Sequence, residues 1–186
     1  YKNGVYVYNV RNKTFKHLTQ RDGLPHPEIH TIFKERNGNM WVGTGKGVSR
    51  WQKGGKHFDG FSTAKQDETL LGSIVEDIHQ SANGDIWVAD GYGESYVHRF
   101  SSSGELISSI NGEEGSTGRF DCPHGIWIDY RKSNPELYVA DRTNHRIQVY
   151  DLEGSFVRSL GSEVLTSPSA FAIDDSHMIV AELRAR

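Results

Sequence analysis

The chain repeats itself. DIWVADGYGESYVHRF, starting at Asp85, and FDCPHGIWIDYRKSNPELYVADRTNHRIQVYD, running to Asp151, follow one plan. Each has a short apolar stretch ending in Val-Ala-Asp, then a polar turn, then a stretch in which apolar and polar residues alternate. Period-two alternation is the mark of a strand with one face packed and the other less so. A unit longer than a hairpin and much shorter than a domain points to propeller blades or solenoid turns.

In order, the chain opens with two strands, Gly4 to Val10 and Thr14 to Thr19, and a connection with two prolines. Four strands follow: Ile29 to Lys34, Met40 to Thr44, Gly47 to Gln52 and Lys56 to Ser62. Asn37-Gly38 and Asn83-Gly84 stand at matching hairpin positions. Residues 63–73 read as a polar connection. Trp41, Trp87, Tyr138 and Ile179 mark the second strand of successive units, 46, 51 and 41 residues apart. Propeller repeats run at about 40–50 residues with four strands per blade.

The expectation is therefore an all-β protein, a β-propeller of four-stranded blades, with a parallel solenoid as the alternative. The units are an outer half-blade (1–20), blades at 28–62, 74–111 and 122–161, and an inner half-blade (168–186). The halves allow closure into a ring of four. The reading preferred here is a single partial propeller over 1–186, a fragment of about four blades from a larger ring.

Composition sets the outer limits. Charged residues make up 24% of the 186 residues and the net charge is −3, so nothing favours nucleic acid or an anionic membrane as partner. No apolar run approaches the roughly 20 residues of a membrane span, and no signal peptide is visible. Cys122 is the single cysteine, which excludes an intrachain disulfide and leaves the redox compartment undetermined. With no base or orienting partner to place beside it, Cys122 supports no nucleophilic triad.

VADRTNHRIQVYDLEGSFVRSLG resembles an NHL repeat in its Asp-Arg-x-Asn-x-Arg-Ile turn and strand. KERNGNMWVGTGKGVSRW is closer to the propeller repeat of hybrid two-component sensors. A sharper likeness runs from Asp90 to Asp151. DGYGESYVHRFSSSGELI, CPHGIWID and VADRTNHRIQVYD resemble peptidyl-α-hydroxyglycine α-amidating lyase and its bacterial relatives. That resemblance implies a six-bladed ring with an axial zinc held by histidines from alternate blades, and a catalytic tyrosine in an Asp-Gly-Tyr turn. It assigns the tyrosine to Tyr92 and one zinc histidine to His124.

The resemblance also implies a second zinc histidine two blades before His124, five residues before the acidic end of its strand; His30 fits, standing five before Glu35 as His124 stands five before Asp129. The intervening blade has Glu76 at that point, five before Ser81, and the last has Ser169, five before Asp174. A third histidine and the family's catalytic arginine fall outside the chain, so weak zinc binding and little turnover are expected of it alone. The resemblance also admits calcium and weakly favours an extracytoplasmic location, periplasmic or secreted.

Three imidazoles leave zinc an open position for a substrate oxygen, whose proton then departs more readily. The reaction implied cleaves a carbinolamide into an amide and glyoxylate, with Tyr92 moving a proton and Arg142 gripping the substrate carboxylate by a two-pronged bond. Plainer roles are a blade-top aromatic for Tyr92 and an ion pair with Asp141 or a neighbouring blade for Arg142. Partners are then a small peptide substrate or, for a propeller without chemistry, a protein, peptide or glycan on the loop face.

Overall fold

The computed structural model describes residues 4–61 and 74–183. Ser62, residues 63–73 and the terminal Ala185-Arg186 lie outside them. Sixteen strands form among the described residues, with one 3-10 turn at Gln20–Asp22 and no α-helix.

The Asn-Gly pairs explain how each sheet begins. Gly38 has φ 95° and Gly84 φ 102°, a region that a side chain disfavours. The Gly38 N–H donates to the Glu35 carbonyl at 2.9 Å and the Glu35 N–H to Asn39 at 2.9 Å. Gly84 with Ser81, and Ser81 with Asp85, repeat this at 3.0 and 2.9 Å. Since Asn37 and Asn83 keep negative φ, each is a type I turn closed by a glycine bulge rather than a two-residue type I′ loop.

The chain divides into two compact units, residues 1–75 and 76–186. In the first, β1 (Val5–Asn9) pairs antiparallel with β2 (Thr14–Leu18). β3 (Ile29–Lys34), β4 (Met40–Thr44), β5 (Gly47–Trp51) and β6 (Phe58–Gly60) form a four-stranded meander. Val5, Leu18, Leu24, Val42 and Phe58 pack between these sheets.

The second unit holds three sheets. β7 (Val75–Gln80) begins at the unit boundary and pairs within the order β10-β9-β8-β7, with β8 (Ile86–Asp90), β9 (Tyr96–Phe100) and β10 (Leu106–Ile110). β11 (Pro123–Asp129), β12 (Glu136–Asp141), β13 (Arg146–Asp151) and β14 (Phe156–Leu160) form the next, and β15 (Pro168–Ile173) with β16 (Met178–Glu182) the last.

Apolar side chains fill the space between successive sheets. Trp87, Val97, Ile126, Leu137, Val139 and Tyr150 belong to one core, and Tyr138, Ile147 and Val149 to another that takes in Trp127 and Phe171. Every residue of β8 and β12 is buried. The alternating pattern predicts one less covered face, but β12 packs through Leu137 and Val139 against Trp87 and Ala89 of β8 and through Tyr138 toward Phe171 of β15. Each fully buried aliphatic side chain contributes roughly 1.5–3 kcal/mol.

The marker residues of the second strands fare differently. Trp41, Trp87 and Tyr138 are buried, each beneath an arginine: Arg50, Arg99 and Arg158. Ile179, in the two-stranded sheet, is 62% exposed.

Candidate functional site

The second unit gathers several chemically capable side chains at one end of its inner strands. His124 lies on β11, where the pairing with β12 shifts register between Pro123 and Ile126. Such a bulge inserts an extra residue and re-aims its side chain. Similar shifts bracket His30 on β3, between Ile29 and Thr31, and Ser169 on β15, between Pro168 and Ala170.

Glu76, His124 and Ser169, the matching positions of three successive inner strands, come into contact. His124 Nε2 lies 3.3 Å from Glu76 Oε2, with side chains 17% and 10% exposed. His124 Nδ1 lies 3.0 Å from the Ser169 carbonyl oxygen. Gly125 makes that approach possible, since a Cβ there would stand 2.4 Å from the same oxygen.

Tyr92 comes from the turn after β8. The buried Asp90 carboxylate shapes this turn by accepting from the N–H groups of Gly93 at 2.9 Å and Glu94 at 3.0 Å. A Cβ on Gly91 would lie 2.8 Å from Glu76 Cγ and 3.0 Å from the Pro123 carbonyl, so only glycine lets the turn settle there. Tyr92 remains 52% exposed, and its ring stands edge-on to His124, with centroids 6.4 Å apart at 79°.

Arg142 donates from Nη1 to the Tyr92 phenol oxygen and from Nε to Ser167 Oγ at 3.2 Å. The ion pair with Asp141 suggested by the sequence does not form. Asp141 is fully buried and is taken by Arg146 Nε at 2.6 Å, Gln148 Nε2 at 3.1 Å and Asn144 Nδ2 at 3.0 Å, with the Asp121 N–H at 2.8 Å. The Asp-Arg-x-Asn-x-Arg signature thus serves to fasten the segment before β11, while its first arginine turns toward Tyr92.

Cys122 sits beside the same pair with φ 60°, a left-handed backbone uncommon outside glycine. Its N–H donates to Ser95 Oγ at 3.3 Å. Burial pushes the thiol up, and the Arg142 charge and hydrogen bonding with Tyr92 pull it back. The thiol is therefore held neutral, which suits packing better than nucleophilic attack. Beneath the site, Asp77 accepts from the Ile126 N–H at 3.0 Å and ties β7 to β11. Burial raises its carboxyl to about 6, against the backbone bonds from Ile126 and Ile78.

Tyr92, Arg142 and His124, all expected from the sequence, are thus together. His30 belongs to the first unit, where Nε2 lies 3.7 Å from Glu28 Oε1. Among the described residues no group of three or more His, Cys, Asp and Glu stands ready to hold a metal. Of the other histidines, His98 is buried against Ser109, His79 packs on Trp127, and His145 is exposed with Nδ1 at the Thr166 carbonyl. Sequence reasoning missed the partners: Glu76, Cys122, Ser167 and Ser169. The signal for two of them was present, since the five-residue spacing aligns Glu76 and Ser169 with His124.

Known proteins share this arrangement of sheets. The chain superposes on virginiamycin B lyase from Staphylococcus aureus with a TM-score of 0.73 and 16% identity, covering 97% of this chain and 57% of that one. The extracellular domain of a hybrid two-component system from B. thetaiotaomicron gives 0.72 and 17%, covering 97% and 24%. The fold is a β-propeller.

In sequence, the propeller matches the two component regulator propeller family over residues 23–46. It is 36% identical over 76 residues to a peptidyl-α-hydroxyglycine α-amidating lyase of Caenorhabditis elegans, 40% of this chain and 21% of that protein. Human NHL repeat-containing protein 3 is 31% identical over 113 residues, 58% and 32% of the two chains. The propeller thus spans about a fifth to a third of these relatives. No helix among the described residues is long and apolar enough to cross a membrane.

Proposed function

We propose that this propeller is of lyase-like ancestry, its complete ring cleaving a peptidyl-α-hydroxyglycine into peptide amide and glyoxylate with the help of zinc at His124, and that this chain alone turns over little. The supporting observation is the convergence of Tyr92, Arg142 and His124 within one unit, the phenol bonded to the guanidinium and edge-on to the imidazole. The chemistry of His124 fits a zinc ligand. A carbonyl can only accept, so a neutral ring carries its proton on Nδ1 toward Ser169, and Nε2, the nitrogen that would bind the ion, faces the Glu76 carboxylate at 3.3 Å. His30, in the first unit, is the second proposed ligand. Calcium is a further proposal, from the resemblance alone.

When bound, zinc supplies Lewis acidity that makes the substrate hydroxyl easier to deprotonate. In the reaction the carbinol O–H loses its proton and C–O becomes C=O. The C–N bond breaks with its electron pair going to nitrogen, which takes up a proton. Tyr92 is the exposed acid–base group placed to move one of these protons. Arg142 carries five N–H donors, and its bonds to Tyr92 and Ser167 leave some for a substrate carboxylate.

The test is glyoxylate release from an α-hydroxyglycine peptide with zinc added, for this chain, where little is expected, and for a longer one that adds the absent blades, in which the following variants are compared. Tyr92→Phe is expected to lower the rate by about 10²- to 10⁴-fold. Release that survives both Tyr92→Phe and His124→Ala would overturn the reading. His30→Ala, in a zinc titration of the same chain, tests the second ligand.

A second reading is a ligand-binding propeller without chemistry, located outside the cytoplasm. It draws on the regulator-propeller match and the likeness to an extracellular sensor domain. A complete ring, made by extending the chain with the absent blades, that binds zinc and releases no glyoxylate would favour it.

A further inference from the structure

We infer that Asp77 is a positioning residue of the site, a clamp between two strands that sets how Tyr92 meets His124. This rests on the lyase reading and names the group that arranges two of its side chains. Those side chains belong to different sheets: Tyr92 rides on the turn after β8, and His124 on β11. Their edge-on approach, with centroids 6.4 Å apart, is only as fixed as the joint between the sheets.

One carboxylate spans that joint. Asp77 Oδ1 accepts from the Ile78 N–H at 2.8 Å, and Oδ2 from the Ile126 N–H at 3.0 Å. Ile78 stands two residues after Glu76, and Ile126 two after His124, so the clamp joins the same repeat position in successive inner strands. β7 and β11 each end their sheet, with a strand neighbour on one side only. Backbone N–H groups on the other side need partners from elsewhere, and Asp77 supplies one to each strand. It does so just beyond the bulge that aims His124.

The other flank of β11 is made differently. Gly125 occupies the repeat position of Asp77, and there the β15 backbone comes so close that a Cβ would lie 2.8 Å from the Ala170 Cα. A side chain bridges one joint and backbone contact closes the other, so β11 is held from both sides. The bridge needs a carboxylate, because both oxygens accept and neither donates. Asparagine has the same size, but its NH₂ would face an N–H, and one of the two bonds must break.

NMR of the whole chain reads the clamp without metal or substrate. In Asp77→Asn the NOEs between the Tyr92 and His124 rings are expected to weaken several-fold. Glu136→Gln should keep them, since Glu136 pairs with Asp129 at the far end of β11 from His124; this separates positioning from a general loss of stability. In the parent, the Ile78 and Ile126 amide protons should shift together with a midpoint of about 6, where the Asp77 carboxyl titrates. Glu76 and His79 on β7 and His124 on β11 are the other ionisable groups of these two strands near the joint, so that midpoint must vanish in Asp77→Asn. In the longer ring, Asp77→Asn should lower kcat by about 10²-fold with KM unchanged. Asp77→Thr, which takes the residue β3 carries at this position, replaces the Asn variant if that one does not fold. Ring NOEs unchanged in the variant, or NOEs lost with kcat intact, would overturn the inference. NOEs lost, beside a longer parent ring that releases no glyoxylate, would leave the clamp standing and remove the lyase reading.

Discussion

At the scale of single residues, one repeat position shows what a side chain's length decides. Glu35 and Ser81 close matching turns, and both are buried. Glu35 reaches the indole N–H of Trp41 and accepts from it. Ser81 is too short, and the Trp87 indole N–H has no partner among the described residues. Replacing either tryptophan by phenylalanine leaves a similar void, so the difference between the two variants isolates the hydrogen bond. Trp41→Phe should destabilise by about 1.5–3 kcal/mol more than Trp87→Phe in urea denaturation. Equal losses would show that the bond to Glu35 contributes nothing. The sequence displayed both tryptophans as strand markers, but the missing acceptor depends on a reach across the turn that spacing does not encode.

At the scale of elements, strand order and turns were largely legible, because alternation and Asn-Gly pairs are local signals. Ile29–Lys34 and Met40–Thr44 follow the residues marked by pattern alone. The inner strands β11 and β15 begin earlier than their apolar runs, at Pro123 and Pro168. The bulges responsible are contacts with a partner strand, and they leave no periodic trace. Motifs named Tyr92, Arg142 and His124, and the five-residue spacing marked Glu76 and Ser169, but the contacts that bring these side chains together arise between sheets and leave no signal within one strand. The turn between β12 and β13 is held by Asp141, whose replacement by Asn leaves the Arg146 guanidinium, 13% exposed, without its carboxylate. Asp141→Asn should cost about 3–5 kcal/mol and speed amide exchange over residues 117–122. A loss below 1 kcal/mol would mean that the Thr117, Gly118 and Arg119 carbonyls alone hold Arg146.

At the scale of the whole molecule, acid should unfold the chain in stages set by particular groups. Burial holds the His98 imidazole down at about 4, against 6.5 in an open chain. Between those values the unfolded chain binds a proton that the folded chain refuses, so stability falls as the pH drops from 6.5 to 4, by roughly 3 kcal/mol in all. Glu136 is held down at about 2, chiefly by Arg158 and further by Lys132 and Tyr138. Its contribution is complete above 4.5 and is lost as the pH falls toward 2. Asp77, raised to about 6, acts in the opposite sense between 3.8 and 6, so each variant must be compared with its parent. His98→Asn should flatten the slope above pH 4, and Glu136→Gln the slope below 4.5, in melting temperatures taken across the range. If both variants track the parent, neither group controls the acid response.

The register shift at His30, His124 and Ser169 occurs whichever residue stands there. The aiming of that side chain is thus a property of the repeat, not of the chemistry it serves. Copying a blade copies a socket whose direction is already set and whose contents are free to drift. Such a chain can acquire, lose or relocate a ligand by a single codon change without rebuilding its backbone. An engineer could use the same freedom: Ser169→His would offer a fresh imidazole at a place the backbone has prepared.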